Sequence, residues 1–367
     1  MKRILNMTVN IIGSILVCFC YQPLLCNAIK PTSRWIVVTT INHPTKALEK
    51  LAALKDWRVV VVGDKKTPID WHLENCDYLS PEKQEQLDFH ITKLLPWNHY
   101  SRKNIGYLYA IKNGATIIYD TDDDNILIHN TIEYLPPTAE TLLYETEESV
   151  VNVYAHFGQP SIWPRGYPLN KILVRKPILK HETHPYIQQG LADLDPDVDA
   201  IFRLTQGIGS IVFNQHAQLI CLPEGTFCPF NTQNTVFHQQ AFWGLLIPTT
   251  PKFRVCDIWR GYWAQRLLWD IGGNLCFMPP TVIQERNEHN LMHDFIDEID
   301  LYVHADDLVN LLKNWNSKQT NFFDRVIELT DMMVTHKFYL EKDSALVRAW
   351  IQDLQEIGYQ QPELSPH

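Results

Sequence analysis

Ala115-Thr116-Ile117-Ile118-Tyr119-Asp120-Thr121-Asp122-Asp123-Asp124 is the stretch whose reading decides this chain. Its first half is apolar and β-branched, the composition of a strand covered on both faces. Its second half places four carboxylates in five residues. Ligands of open α/β sheets bind at the carboxyl ends of strands, so the acidic run falls where a site is expected. Side chains two apart on an extended segment point to one side, which lets Asp120 and Asp122 converge on a hard divalent ion, with Asp123 beside them. Like charges packed so closely call for a counter-cation. The plainer alternative is an acidic turn that caps a following helix.

Outward from this run the chain alternates strands with helices. Arg34 to Thr40 and Arg58 to Val62 read as buried strands, the second ended by Gly63-Asp64. Pro44 to Leu54, Pro81 to Leu95 and Ser101 to Asn113 carry helical spacing, the last closed by Gly114. Such alternation predicts a parallel sheet with right-handed crossovers. The segment from Tyr134 to Gly225 is broken by Pro and turn signals, and Phe322 to Gly358 is helical again. The expectation is one α/β domain over residues 34–362, with a mainly parallel central sheet and a C-terminal helical annex.

A net charge of −10 opposes phosphate backbones and argues against a nucleic-acid partner. Lys2 and Arg3 precede an uncharged stretch that lasts to Ile29. A basic start, a short apolar run and the small residue Ala28 read as a signal peptide over residues 1–28. A signal anchor is the runner-up, and membrane association is expected only if that leader stays uncleaved. Either way, Trp35 onward is expected in the secretory pathway, lumenal or secreted. Of the five later cysteines, Cys221 and Cys228 could close a short loop in an oxidising lumen; buried thiols are the alternative.

Three further constellations carry candidate chemistry. Arg102 and Lys103 open a helix against its dipole, which a bound diphosphate would explain; a solvated basic turn is the alternative. Gly63 permits close backbone approach and Asp64 could accept hydrogen bonds from a base or ribose, unless the pair is only a strand exit. Asp257 begins the Trp-rich run Asp257-Ile258-Trp259-Arg260-Gly261-Tyr262-Trp263. A carboxylate beside aromatic platforms suits acid/base work on an acceptor sugar; an aromatic core helix capped by Asp257 competes with that reading. His238, His289 and His293 are possible further metal ligands, although single histidines are more often structural.

The run Ser101-Arg102-Lys103-Asn104-Ile105-Gly106, Asn113-Gly114-Ala115 and Ile118-Tyr119-Asp120-Thr121-Asp122-Asp123 resembles the GT-A pattern of a basic-Asn helix start, a Gly-Ala turn, a strand and an Asp-rich metal motif. More narrowly, the chain resembles the STELLO family of Golgi glycosyltransferase-like proteins. Trp163-Pro164-Arg165-Gly166-Tyr167-Pro168-Leu169, Pro196-Asp197-Val198-Asp199, Ala241-Phe242-Trp243-Gly244-Leu245 and Arg260-Gly261-Tyr262-Trp263 carry that likeness. It implies a GT-A-like nucleotide-diphospho-sugar transferase in the Golgi lumen, with a glycan or glycoprotein acceptor. Mn²⁺ or Mg²⁺ would sit at Asp120, Asp122 and Asp123. Gly63, Asp64, Arg102, Lys103, Asn104, Asp120, Trp163, Arg165 and Arg260 would contact substrate, and Asp257 would be catalytic. A second likeness, to plant UDP-arabinopyranose mutases, keeps a nucleotide-sugar mutase as an alternative, with Arg165 or Arg260 as nucleophile. A non-catalytic nucleotide-sugar-binding scaffold is the third reading.

Overall fold

The structure is a computed structural model that describes residues 33–172, 179–206, 209–285 and 290–366. The expected leader and His289 lie outside the described residues. Elements follow in the order β1 (Arg34–Thr39), α1 (Lys46–Ala52), β2 (Arg58–Val62), β3 (Cys76–Leu79), α2 (Pro81–Gln86), α3 (Lys103–Lys112), β4 (Ile117–Asp120), β5 (Asn125–Leu127), β6 (Ala139–Leu143), β7 (Leu179–Thr183), β8 (Ile187–Leu194), α4 (Ala200–Gln206), β9 (Ile220–Cys221), β10 (Thr235–His238), α5 (Cys256–Trp269), β11 (Leu275–Gln284), α6 (Leu291–Asp297), α7 (Ile299–Asn314), α8 (Phe322–Thr335) and α9 (Glu341–Glu356). They build one sheet in the order β3-β2-β1-β4-β10-β8-β11-β9-β6-β7, with β5 paired to β11.

The half that holds the acidic run is parallel: β3, β2, β1 and β4 all run the same way. β10 is antiparallel to both β4 and β8, while β8 and β11 are again parallel. The unbroken Val/Ile runs have a direct cause. Trp35, Val37, Val60 and Val62 belong to the cluster on one face, and Ile36, Val38, Val59 and Val61 to the cluster on the other. Both faces are therefore covered, and no position from Trp35 to Val38 or from Val59 to Val62 is polar.

α3 lies across β1 and β2, and Gly106 sets how closely. A Cβ there would stand 2.7 Å from both Val37 Cγ1 and Val62 Cγ2. That close approach carries the N-terminus of α3, with Lys103, to the strand ends. α5 is buried along all fourteen residues, including Trp259, Tyr262 and Trp263. A helix buried on every side belongs in a core. Its aromatic side chains pack there with Trp243, Phe322 and Trp350 instead of standing as platforms for a sugar. The C-terminal helices thus share the main core.

Two local expectations are corrected. Pro81 to Leu95 is not one helix: α2 stops at Gln86, Asp88 takes a left-handed φ of 55°, and a separate 3₁₀ turn spans His90–Lys93. Asp353 of α9 drives this, because its carboxylate accepts the His90 and Ile91 N–H groups at 2.8 and 3.0 Å. Cys221 does not pair with Cys228. It forms a disulfide with Cys276, which stands directly opposite it in the β9–β11 ladder. Cys228 is a buried free thiol. No helix among the described residues is long and apolar enough to cross a membrane.

Candidate functional site

A cleft of about 560 Å³ opens at the carboxyl ends of β1, β2 and β4. The segments that leave β1 and β4 stay in contact there: Thr40 Oγ1 donates to Asp123 Oδ2, and Thr45 Oγ1 to the Asp123 carbonyl. Thr39, Thr40, Gly63, Asp64, Arg102, Asp122, Asp123, Asp124, Arg165 and Asp257 all border it. The sheet thus brings together residues that are far apart in sequence.

Asp120, Asp122 and Asp123 do not converge on one point. Asp120 is fully buried beneath the cleft. Lys103 fills the space between it and Asp122, with Nζ 2.8 Å from Asp120 Oδ1, 3.0 Å from Asp122 Oδ1 and 3.2 Å from the Thr232 carbonyl. Those three partners match the three protons of an ammonium. Burial works against the charge, but Asp120 and Asp122 outweigh it and hold Lys103 above the ordinary lysine range. Burial likewise lifts the Asp120 carboxyl, against the pull of Lys103 and Arg260.

Asp122 is 40% exposed, and Lys103 meets only its Oδ1, which leaves Oδ2 for the cleft. Asp123 uses its Oδ2 to accept Thr40 Oγ1 at 2.5 Å and Asn42 Nδ2 at 3.1 Å. Asp124 Oδ2 accepts Gln284 Nε2 at 3.3 Å. Among the described residues, the trio of ionisable groups close enough to share an ion is His90, Asp353 and Glu356, which do not line the cleft. His238 hydrogen-bonds the Leu135 carbonyl at 2.8 Å inside the protein, and His293 is exposed on α6.

The basic helix start is built differently from the expectation. Arg102 turns back into the protein: its Nε donates to Gln84 Oε1 at 2.9 Å and its guanidinium stacks 3.6 Å from the Trp97 ring centroid. Burial pulls it down to about 10, against the attraction of Asp64 and Glu85. Asn104 pairs with both backbone groups of Ile247, at 2.9 and 2.8 Å, and is closed to substrate. Asp64 borders the cleft, but it accepts the N–H groups of Lys65, Asn98 and His99 at 2.6, 2.9 and 3.2 Å. It therefore ties the end of β2 to the loop ahead of α3. Gly63 is required by Tyr78, whose hydroxyl would stand 2.5 Å from an added Cβ.

On the far wall Arg165 joins two carboxylates. Its Nε is 2.8 Å from Asp197 Oδ1, and its Nη1 and Nη2 reach the two oxygens of Asp257 at 3.3 and 3.0 Å. Burial opposes the charge, yet Asp197 and Asp257 hold the guanidinium above its ordinary value. Asp257, at the start of α5, is thus the partner of Arg165. Arg260 is fully buried over Phe230 and Phe237, bonds to the Gly244 and Asn231 carbonyls, and stands 3.9 Å from Asp120. Trp163 does not line the cleft; its Nε1 donates to Asp199 Oδ2 at 2.6 Å. Neither arginine stands free to act as a nucleophile.

The sequence reading missed Thr40, Asn42, Asp197, Asn231, Gln233 and Gln284, which also border the cleft. Asn231 donates to Asp197 Oδ2 at 2.7 Å, and Gln233 to Asn125 Oδ1 at 2.7 Å. The alternation of Asp193, Asp195, Asp197 and Asp199 was the available signal for one of them.

This geometry sits in a chain with recognisable relatives. Residues 254–366, from the cleft residue Arg254 through the C-terminal helices, match the family model of STELLO glycosyltransferases. Over 357 residues the chain is 37% identical to the probable glycosyltransferase STELLO2 of Arabidopsis thaliana, an alignment that covers 91% of this chain and 46% of that protein. The chain is thus similar to a STELLO protein over most of its own length. The probable glycosyltransferase STELLO1 of the same plant matches with the same identity and coverage. The chain spans about half the length of these curated relatives.

Proposed function

We propose that this chain is a glycosyltransferase of GT-A-like fold that takes its sugar from a nucleoside-diphosphate donor bound in the cleft at the ends of β1, β2 and β4. The observation that carries the proposal is the acidic run leaving β4 into that cleft, in a chain 37% identical to two proteins named probable glycosyltransferases. The order β3-β2-β1-β4 supports a nucleotide-binding half of this kind. The acceptor is a glycan or glycoprotein, and the site of action is the secretory pathway. The disulfide between Cys221 and Cys276 favours an oxidising compartment.

The residues present fit a divalent ion such as Mn²⁺ or Mg²⁺. Such ions need one or two carboxylate oxygens and complete their shells with phosphate oxygens and water. Asp122 Oδ2 supplies the first, and Asp123 keeps its Oδ1 for a second. When bound, the ion would neutralise the departing diphosphate. Asp120 takes no part as a ligand; it anchors Lys103, which in turn fixes the carboxylate of Asp122. On the opposite wall, Arg165 orients Asp257 and Asp197, whose oxygens accept hydrogen bonds from sugar hydroxyls. The test is release of free nucleoside diphosphate from a panel of nucleotide sugars with Mn²⁺. Asp122→Asn should lower that release by about 100-fold or more. No turnover of any donor by the wild type, or an unchanged rate in the variant, would remove the proposal's basis.

A further inference from the structure

We infer that the sugar carried by the donor is uncharged: a hexose, pentose or N-acetylhexosamine, and not a sugar that bears a carboxylate. The inference rests on the donor-binding reading above. It comes from the charges around the cleft and from the partners each already has.

Asp122, Asp123, Asp124, Asp197 and Asp257 border the cleft. The arginines that border it are already engaged by the protein. Arg165 has its Nε on Asp197 and both terminal nitrogens on Asp257. Arg254 turns to Glu298, at 2.5 Å, and to Asp294, at 3.7 Å. Arg102 gives Nε to Gln84 and Nη1 to the Leu95 carbonyl and stacks on Trp97, while its Nη2 is buried away from the opening. Among the described residues, a carboxylate on the sugar would therefore meet acidic side chains with no arginine of the cleft available to receive it. To capture Arg165 it would have to displace Asp257 or Asp197, whose side chains are 8% and 12% exposed. Removing one member of a pair so far from water leaves an uncompensated charge behind.

Lys66 is the remaining cation of the cleft among the described residues. It sits on the turn after β2, where the neighbouring Thr67 bonds the Thr40 carbonyl at the end of β1. That is the side of the cleft on which Asp64 and the strand ends lie, and a phosphate or ribose suits it. An ion on Asp122 does not reverse the balance, because it is matched by the diphosphate it binds. Hydroxyl groups suffer none of these penalties. They donate to carboxylate oxygens and carry no charge of their own.

The experiment is calorimetry with the full chain and Mn²⁺, titrating UDP-glucose against UDP-glucuronate and GDP-mannose against GDP-mannuronate, with UDP and GDP alone as controls. The neutral member of the pair that binds should be tighter by about 10-fold or more. Asp257→Asn removes one of the two charges that neutralise Arg165 and should narrow that gap several-fold; Asp197→Asn, which removes the other, is the second variant should the first not fold. Equal or tighter binding of the hexuronate by the wild type overturns the inference, and leaves the donor reading standing if UDP or GDP alone binds. A gap that neither variant narrows overturns the role given to Arg165. Failure of every nucleotide to bind overturns both the inference and the reading beneath it.

Discussion

Lys103→Met is the perturbation that probes the site's architecture most sharply. Methionine keeps the length and the apolar stem and removes only the ammonium. Asp120 then stays fully buried, with its nearest remaining cation, Arg260, at 3.9 Å. Removing one partner of a buried ion pair destabilises by about 3–5 kcal/mol. Asp120→Asn alone should lose less, about 1–3 kcal/mol, because the ammonium keeps Asp122 and the Thr232 carbonyl. In the double variant neither charge is stranded, so its loss should fall short of the sum by about 2 kcal/mol or more. Urea unfolding followed by tryptophan fluorescence measures all three. Additive losses, or a Lys103→Met variant within about 0.5 kcal/mol of wild type, would refute the claim that the ammonium holds this corner together.

Three further outcomes follow from named contacts. Gly106→Ala should lower stability by about 1–3 kcal/mol in the same assay, because overpacking against Val37 and Val62 outweighs the helix propensity gained. Burial and the nearby Glu298 and Asp197 raise Asp199 to about 6, against the hydrogen bonds from Phe202 and Trp163. A carboxyl raised on folding stabilises most below its unfolded value near 4, and that contribution is lost as pH rises through 6. Comparison of wild type with Asp199→Asn by urea unfolding from pH 4 to 7 should therefore shift in favour of Asn by up to about 3 kcal/mol. Replacing both Cys221 and Cys276 by Ser should lower stability by about 2–4 kcal/mol, read as a lower melting temperature, while Cys228→Ser leaves the cross-link intact.

What the sequence made legible follows from where physics acts locally. β1, β2 and β4 were readable because both faces of the sheet are covered, so each is an unbroken apolar run. β8, Ile-Gln-Gln-Gly-Leu-Ala-Asp-Leu, was not readable: its two glutamines are buried and satisfied by distant partners such as Leu135, Asn231 and Gln233. β11 carries Pro279 and Pro280 where its register with β8 shifts, and prolines read as loop. The location of the cleft was readable, since the acidic run and Gly63-Asp64 both end strands. The partners of the charges were not. Lys103 and Arg102 are adjacent at one helix start, yet one faces Asp120 and the other Trp97. That division depends on Gln84, Asp120 and Thr232, each brought in from another part of the chain. Trp259 and Trp263 look the same in sequence whether they stack on a sugar or fill a core, and only the burial of all of α5 decides between these.

The central claim, that a nucleoside diphosphate binds through an ion held at Asp122, is tested most directly by calorimetry. UDP and GDP would each be titrated into wild type and Asp122→Asn, with and without Mn²⁺. The account predicts that Mn²⁺ tightens binding to the wild type by about 10-fold or more, a difference of about 1.4 kcal/mol or greater, and that the variant loses this enhancement while staying folded. The same metal-dependent gain in both proteins, or no nucleotide binding by the wild type at all, would contradict it.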